Sequence, residues 1–444
     1  MKNDKKLIVI GAGAAGLYAA RELSAAGYQI SVLEARDRIG GRIYTRREAF
    51  CPAPIEMGAE FIHGKSPELF DLVRQAGLLM YDVTERHWFL RDGQLLKSHE
   101  FGERLDELMD QLKTRKKDVT FHEFLDSFRS NREFRLASSV ATKFVEGFHA
   151  ASIDRIGVNG LVKINDEAEK IEGDRSFRIN NGYHQIIDFL YRNLISAQPD
   201  IRLSAIVKEI RWRKGKVRVL YETDRAEELI EANQVIITLP LGVLQQKPGV
   251  RGAVRFVPEL PAKKQWALHH LIMGQALKIT LLFRERFWEQ LKRGRSKSRI
   301  DFSEMTFMHD TEVPFSTWWT QLPVRAPLLV GWVGGPAAEV CAEDGETSIL
   351  KHSISSLARM LNVRPRKVHD ELESWFVHDW QADSFSRGAY SYLPVDGLKA
   401  QRALTEPLDS TVFFAGEATA VGHVGTVHGA IVSAKRVADQ LRTK

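Results

Sequence analysis

The 444-residue chain has only two cysteines, Cys51 and Cys341, too few for a disulfide framework and in keeping with a reducing, cytoplasmic setting. It has no uncharged apolar run of about 18 residues, so no membrane-spanning helix and no membrane partner are expected. Residues 1–6 are charged and lead straight into a short apolar stretch without a small-residue cleavage site, which argues against a secretory leader. The G-x-S-x-G elbow, the P-loop and the H-E-x-x-H zinc signature are all missing. His269 and His270 have no cysteine or carboxylate cluster at ligand spacing, so no metal site is expected. No internal repeat or low-complexity tract is present. The charge surplus is small, 63 Lys and Arg against 57 Asp and Glu, and acids are interleaved almost throughout. The densest basic stretch, KRGRSKSR at 292–299, holds no aromatic residue for base stacking and reads as a solvated loop; nucleic acid is not expected as a partner.

What is present is an ordinary globular composition, 44% hydrophobic and 27% charged, in a chain long enough for two or three domains. Residues 7–10 form an apolar strand, 14–26 a helix with Leu17, Ala20 and Leu23 on one face, and 29–33 a second strand ending on Glu34. Residues 81–170 lack a strand pattern and favour helix. Residues 201–221 predict a hairpin around Lys214-Gly215, and 235–239 a buried strand closed by Pro240. Further strands are expected at 278–283, 328–333 and 411–415, with helices at 348–361 and 427–441. The fold class is α/β: a Rossmann-type nucleotide-binding domain (1–80, 181–256 and 381–444) interleaved with a mixed α+β domain (81–180 and 257–380).

Gly11-Ala12-Gly13-Ala14-Ala15-Gly16 lies between the first strand and its helix. Gly11 makes the tight turn, Gly13 lets the backbone approach a diphosphate, and Gly16 lets helix and strand pack closely. The helix start, around Ala15, turns unpaired N–H groups toward that diphosphate. Glu34 stands about 20 residues on, placed to accept from a ribose 2′-hydroxyl and to repel a 2′-phosphate. The stretch Glu34-Ala35-Arg36-Asp37-Arg38-Ile39-Gly40-Gly41-Arg42 adds a second glycine pair flanked by arginines, an extension that NAD dehydrogenases do not use.

At these residues the sequence resembles the flavin-containing amine oxidases, a family of monoamine oxidases, polyamine oxidases and lysine-specific histone demethylases. The match continues in Met57-Gly58-Ala59-Glu60-Phe61-Ile62-His63-Gly64, similar to the segment beside the isoalloxazine ring. Asn181-Gly182-Tyr183 and the hairpin with Val207 resemble the adenine side. Thr238-Leu239-Pro240-Leu241-Gly242 resembles the exit from a flavin-domain strand. Phe414-Ala415-Gly416-Glu417-Ala418-Thr419 and Gly425-Thr426-Val427-His428-Gly429 resemble the C-terminal FAD signature. The resemblance implies FAD bound by Gly11, Gly13, Ala15, Gly16, Glu34, Ala35, Arg36, Gly41, Arg42, Gly58, Ala59, Glu60, Val207, Trp380, Gly416, Glu417, Thr426 and Val427.

It also implies the chemistry. Lys278 takes the place of a lysine bonded through water to flavin N5, and its charge in an apolar strand needs a partner. Tyr390 takes one wall of the family's aromatic sandwich, where it can pack on an alkyl amine. Thr426 replaces the second wall and Ala389 the cysteine that links flavin covalently in monoamine oxidases, so FAD is expected to be non-covalent. The Thr-Val-His-Gly-Ala form is closer to polyamine oxidases and demethylases. A start directly at the first strand, without a long helical insertion, argues against a demethylase. His63 stands where polyamine oxidases place a polar residue toward substrate, and equally could cap the Gly64 turn. Glu60 is the one acid placed near the substrate, and Trp318, Trp319, Phe302 and Phe307 either line the pocket or fill the core. The expected reaction is hydride transfer from a neutral amine to flavin, giving an imine, with dioxygen reoxidising the flavin to form hydrogen peroxide. Polyamines or other alkyl amines are the favoured substrates, although the basic composition argues mildly against a polycation. The alternatives are an amino-acid oxidase, a desaturase of the same superfamily, and a flavin-binding interaction protein without catalysis. The oligomeric state is open.

Overall fold

The computed structural model describes residues 5–84, 86–91, 94–97, 107–114, 117–130, 132–195, 198–291 and 302–443. The basic stretch at 292–299 lies outside them. The first three elements are β1 (Lys6–Ile10), α1 (Ala14–Ala25) and β2 (Gln29–Leu33), within a residue of the sequence expectation at each end. They open a five-stranded sheet in the order Asp200–Arg202, β2, β1, Gln234–Ile237, Val412–Phe414, every pair parallel. A parallel sheet needs cover on both faces, and strand alternation supplies it. Leu7, Val9, Ile30, Val32 and Ile236 face Leu17, Ala20 and Leu23 of α1, with Ile187 and Leu190 of the helix His184–Ile195 and Ile431 and Ala434 of the helix Val427–Arg442 in the same cluster. Ile8, Ile10, Val235, Ile237, Val412 and Phe414 face the other way, onto Val217, Val219 and Tyr221.

Those last three belong to the predicted hairpin, Ile206–Arg213 and Lys216–Glu222, which turns at Lys214-Gly215 with Gly215 at φ +72°. Residues 201–202, read as the start of that hairpin, instead extend the parallel sheet beside β2. The chain turns between the two at Ser204, whose backbone N–H bonds Arg36 O.

A second sheet of seven strands runs in the order Leu372–Val377, Ala276–Phe283, Leu328–Gly334, Thr317–Trp319, Phe307–His309, His87–Arg91, Gln94–Lys97. Residues 81–170, read as strand-free, therefore contribute the two strands at one end of this sheet. His87–Arg91 is short, rich in aromatics and flanked by charge, and it pairs in parallel with a strand more than 200 residues away. Such pairing leaves no local turn signal. Helix Phe121–Asp126 is capped by Thr120 and Glu123, each side chain bonding the other's backbone N–H. Among the described residues no helix is long and apolar enough to cross a membrane.

Candidate active site

The glycine motifs meet at the carboxyl ends of the parallel strands, where an open α/β sheet binds its ligand. Gly11 has φ +102°, and a Cβ on Gly16 would lie 1.9 Å from Gly11 O, so both positions demand glycine. The second glycine pair packs directly on the first: Gly40 N bonds Ala12 O at 2.8 Å, and Gly41 and Gly13 are in contact. Helix α1 starts after Gly13 without a side-chain cap, leaving its first N–H groups to a ligand. Glu34 is buried at the end of β2, its carboxylate bonded to Ala12 N at 2.8 Å and Arg36 N at 3.0 Å. Arg36 also binds Asp383 at 2.8 Å, which ties Glu34-Ala35-Arg36 to the 381–390 segment. Val207 is buried two residues beyond Ala205, whose N–H bonds Glu34 O, so this strand abuts the same rim.

Opposite that rim, Arg42 donates to Glu417 at 3.0 Å and to Ala389 O at 2.8 Å. Glu417 also accepts from Ser391 Oγ at 2.6 Å and from Gly425 N at 3.0 Å. Arg42, Leu239, Pro240, Gly416, Glu417 and Thr419 line one enclosed cleft, joining three separate sequence motifs. Gly416, at φ +119°, is held by Ser433, and Val427 begins the C-terminal helix.

The segment Met57 to Glu60 is pinned from three sides. Trp380 donates its indole N–H to Met57 O at 3.0 Å, Ala59 N bonds Arg42 O at 3.1 Å, and Lys278 Nζ donates to Gly58 O at 2.5 Å. A Cβ on Gly58 would lie 1.9 Å from Arg42 O and 3.1 Å from the Trp380 ring. Lys278 is 6% exposed on the Ala276–Phe283 strand, so the charge is buried and needs partners. Its second one is Glu60 Oε2 at 3.2 Å.

Glu60 is itself buried against Lys278 and is wrapped by Arg178, Trp319 and Gln321. Burial pushes its carboxyl up, yet Lys278 and Arg178 beside it outweigh that and hold it below the usual range. In Asn181-Gly182-Tyr183, Tyr183 is fully buried and its N–H bonds Glu56 at 2.7 Å. Thr426 caps the C-terminal helix, its Oγ1 accepting from Gly429 N at 3.0 Å and donating to His423 O at 2.8 Å, so its hydroxyl is turned inward.

Facing Lys278 is an aromatic wall. Trp332 sits directly across from Lys278 in strand register and stacks on Tyr390, rings 6.5 Å apart and 11° from parallel. The Tyr390 hydroxyl donates to Phe148 O at 2.7 Å, and Phe148 packs on His63 at 5.5 Å. Phe144 stacks on Phe148 at 5.4 Å, and both are part-exposed at the end of the helix Arg132–His149. Phe61 and Trp319 continue the wall inward. His63 Nδ1 also meets Ser176 Oγ at 3.4 Å. Strand alternation separates Trp318, which points into the core of the second sheet, from Trp319, which with Phe307 joins Phe61 and Trp332; Phe302, on the short turn Phe302–Glu304, packs with Trp318 in that core. Trp332, Phe148, Phe144 and Arg178 escaped the sequence reading. Trp332 gains its place only through register with the Lys278 strand, and Phe144 and Phe148 were visible only as an i, i+4 pair.

A family model for flavin containing amine oxidoreductases matches residues 14–442. The chain belongs to the flavin-containing amine oxidoreductase family. Lysine-specific histone demethylase 1 homolog 1 of Arabidopsis thaliana is 30% identical over 97% of this chain and 51% of its own length. Polyamine oxidase 3 of Oryza sativa subsp. japonica is 27% identical over 98% of this chain and 89% of its own. The chain spans about half the length of the demethylases it matches. Among solved structures, a wild-type putrescine oxidase bound to putrescine is similar in fold, with a TM-score of 0.82 at 19% identity over 99% of both chains.

The residues of this amine oxidoreductase fit FAD. The Gly11 to Gly16 turn, the Gly40-Gly41 pair packed on it and the Gly58 segment bring backbone together so closely that a Cβ at Gly16, Gly40 or Gly58 would strike the neighbouring carbonyl. Ala389 offers no side chain for a covalent link. Among the described residues no group of three or more His, Cys, Asp or Glu could hold a metal.

Proposed function

We propose that this chain oxidises a primary or secondary amine to an imine, and that the preferred amine carries an apolar alkyl or aryl group. When bound, FAD supplies the redox chemistry, accepting a hydride from the carbon beside nitrogen and passing two electrons on to dioxygen, which leaves as hydrogen peroxide. Gly11, Gly13, Gly16, Glu34, Arg36 and Arg42 would hold the nucleotide, and Gly58, Ala59 and Trp380 would lie against the flavin. Lys278 would present its ammonium at that same segment. Residues 1–80, 181–256 and 381–444 then hold the cofactor, while 81–180 and 257–380 bring Lys278, Trp319 and Trp332 to it.

The observation that carries the substrate reading is the aromatic wall combined with the state of the nearby carboxylates. Trp332, across from Lys278 in register, and Tyr390 are near-parallel aromatic rings, and such faces would suit an apolar chain. The acids that a polyamine's second ammonium would need are engaged. Glu60 binds two cations, Glu417 binds Arg42, and Glu56 bonds Thr45 and Tyr183 N and is pushed by burial to about 7. The same count argues against an amino-acid oxidase, since Arg42 and Arg178 already serve carboxylates. A di- or polyamine substrate is the second reading, favoured by the likeness to polyamine oxidases.

The test is anaerobic bleaching of the flavin by a hexylamine, a benzylamine, a diamine, a polyamine, an N-methylated lysine peptide and an amino acid. Fastest bleaching by hexylamine or benzylamine is the expected result. Fastest bleaching by the polyamine would transfer the assignment to the second reading. No bleaching by any of them would sink amine oxidation and leave a desaturase or a non-catalytic flavoprotein.

A further inference from the structure

The ion cluster around Lys278 is divided between its two carboxylate oxygens. Glu60 Oε1 accepts from Arg178 Nε at 3.0 Å, from Trp319 Nε1 at 2.9 Å and from Gln321 Nε2 at 3.3 Å, with Arg178 Nη2 in ion-pair contact at 2.9 Å. Glu60 Oε2 bonds Lys278 at 3.2 Å. One oxygen thus anchors the carboxylate to the Thr317–Trp319 strand and its neighbours, and the other is aimed at the lysine. An ammonium has three N–H groups in tetrahedral array. With two directed at Gly58 O and Glu60 Oε2, the direction of the third is fixed. Arg178, 3% exposed, adds a second buried cation close by. Without the Glu60 charge, two buried cations would lie close together with no counter-ion between them, and the lysine would lose the partner that holds its head in place.

We propose that Glu60 is a positioning residue for the oxidase reaction: it holds the Lys278 ammonium in place beside Gly58, fixes the direction of its third N–H, and thereby sets how fast the reduced flavin reacts with dioxygen. In that step the reduced flavin supplies two electrons and one proton, solvent supplies a second proton, and dioxygen becomes hydrogen peroxide. Negative charge builds on oxygen as the first electron arrives, which a fixed cation favours. The inference rests on the oxidase reading, so its test avoids amines.

The first measurement is on apoprotein, where unfolding midpoints of Glu60→Gln, Lys278→Met and the double variant form a cycle. Non-additive losses, with the double variant less affected than the sum, are expected; strict additivity would overturn the pairing. The second uses holoenzyme reduced by dithionite and mixed with dioxygen. Glu60→Gln is expected to slow reoxidation about tenfold or more, with the double variant no slower than Lys278→Met and Glu60→Asp recovering most of the rate. A Glu60→Gln enzyme with wild-type rate refutes the proposal. Should Glu60→Gln not fold, Lys278→Met decides: reoxidation at the wild-type rate would show that the lysine held by Glu60 has no part in the step, and the idea fails. Slowed reoxidation in a protein that no amine reduces would uphold Glu60 while removing the amine reading.

Discussion

Replacing Arg178 with methionine tests the buried network through stability. Arg178 donates to Glu60, to Thr320 O at 3.2 Å and to Leu322 O at 3.4 Å, and its guanidinium lies 4.5 Å from the centre of the Phe61 ring. Methionine fills much of the volume but leaves Glu60 with one cation and removes a partner from each of two carbonyls. Breaking a buried ion pair costs about 3–5 kcal/mol. Lys278, Trp319 and Gln321 still bond Glu60, so the lower end, about 3 kcal/mol, applies. At about 2.1 cal/mol/K per residue, a 444-residue chain unfolding as one unit has an unfolding entropy near 0.9 kcal/mol/K, and the midpoint falls by about 3 °C. The sign with pH follows from the depressed carboxyl of Glu60. Its contribution is present above the unfolded value and is lost as pH falls through the folded one. Losing Arg178 raises the folded value, so acid loss begins at higher pH. The gap from wild type is widest near neutrality and narrows in acid once Glu60 is protonated. Thermal unfolding followed by circular dichroism across pH would check this. A midpoint within about 1 °C of wild type at neutral pH, or a gap that widens on acidification, would refute the reasoning.

Glu56 has the opposite sign. Burial raises its carboxyl to about 7, against the bond from Thr45, so native stability declines as pH climbs from its unfolded value toward 7. Glu56→Gln should match wild type near pH 5 and exceed it at pH 8 by up to about 3 kcal/mol, read by thermal melts at the two pH values. Gly16→Ala places a methyl 1.9 Å from Gly11 O. Overpacking of this kind costs about 1–3 kcal/mol, so FAD affinity should weaken about five- to 150-fold, measured by flavin fluorescence on dilution. Trp318→Ala, emptying a fully buried site, should cost about 3–5 kcal/mol, whereas Trp319→Phe should mainly change the rates at which amines bleach the flavin. Equal destabilisation by both would contradict their opposite facing.

The nucleotide cradle was legible in the sequence because its physics is local. Gly11, Gly13 and Gly16 are required by a turn and a close approach within six residues, and β1, α1 and β2 declare themselves by period. Lys278 was legible as a cation in an apolar run, a cost that calls for a partner. Which partner it has was not. Glu60 reads as an acid near a substrate, and only the fold shows that its charge is consumed by Lys278 and Arg178.

By itself, then, the sequence determined the parallel sheet's first unit, the glycine cradle, the engaged position of Lys278 and the family. These depend on spacings within a few residues or on a charge that burial makes costly. The tertiary structure alone decided that residues 87–91 join a strand near 307, that Trp332 stands opposite Lys278, that Trp319 rather than Trp318 meets Glu60, and that Thr426 turns its hydroxyl into a helix cap. The first three are matters of strand register or of contact across 50 to 260 residues, whereas the Thr426 cap is made within three residues on either side. A shift of one residue would reverse which face a side chain occupies, and no local preference fixes that choice.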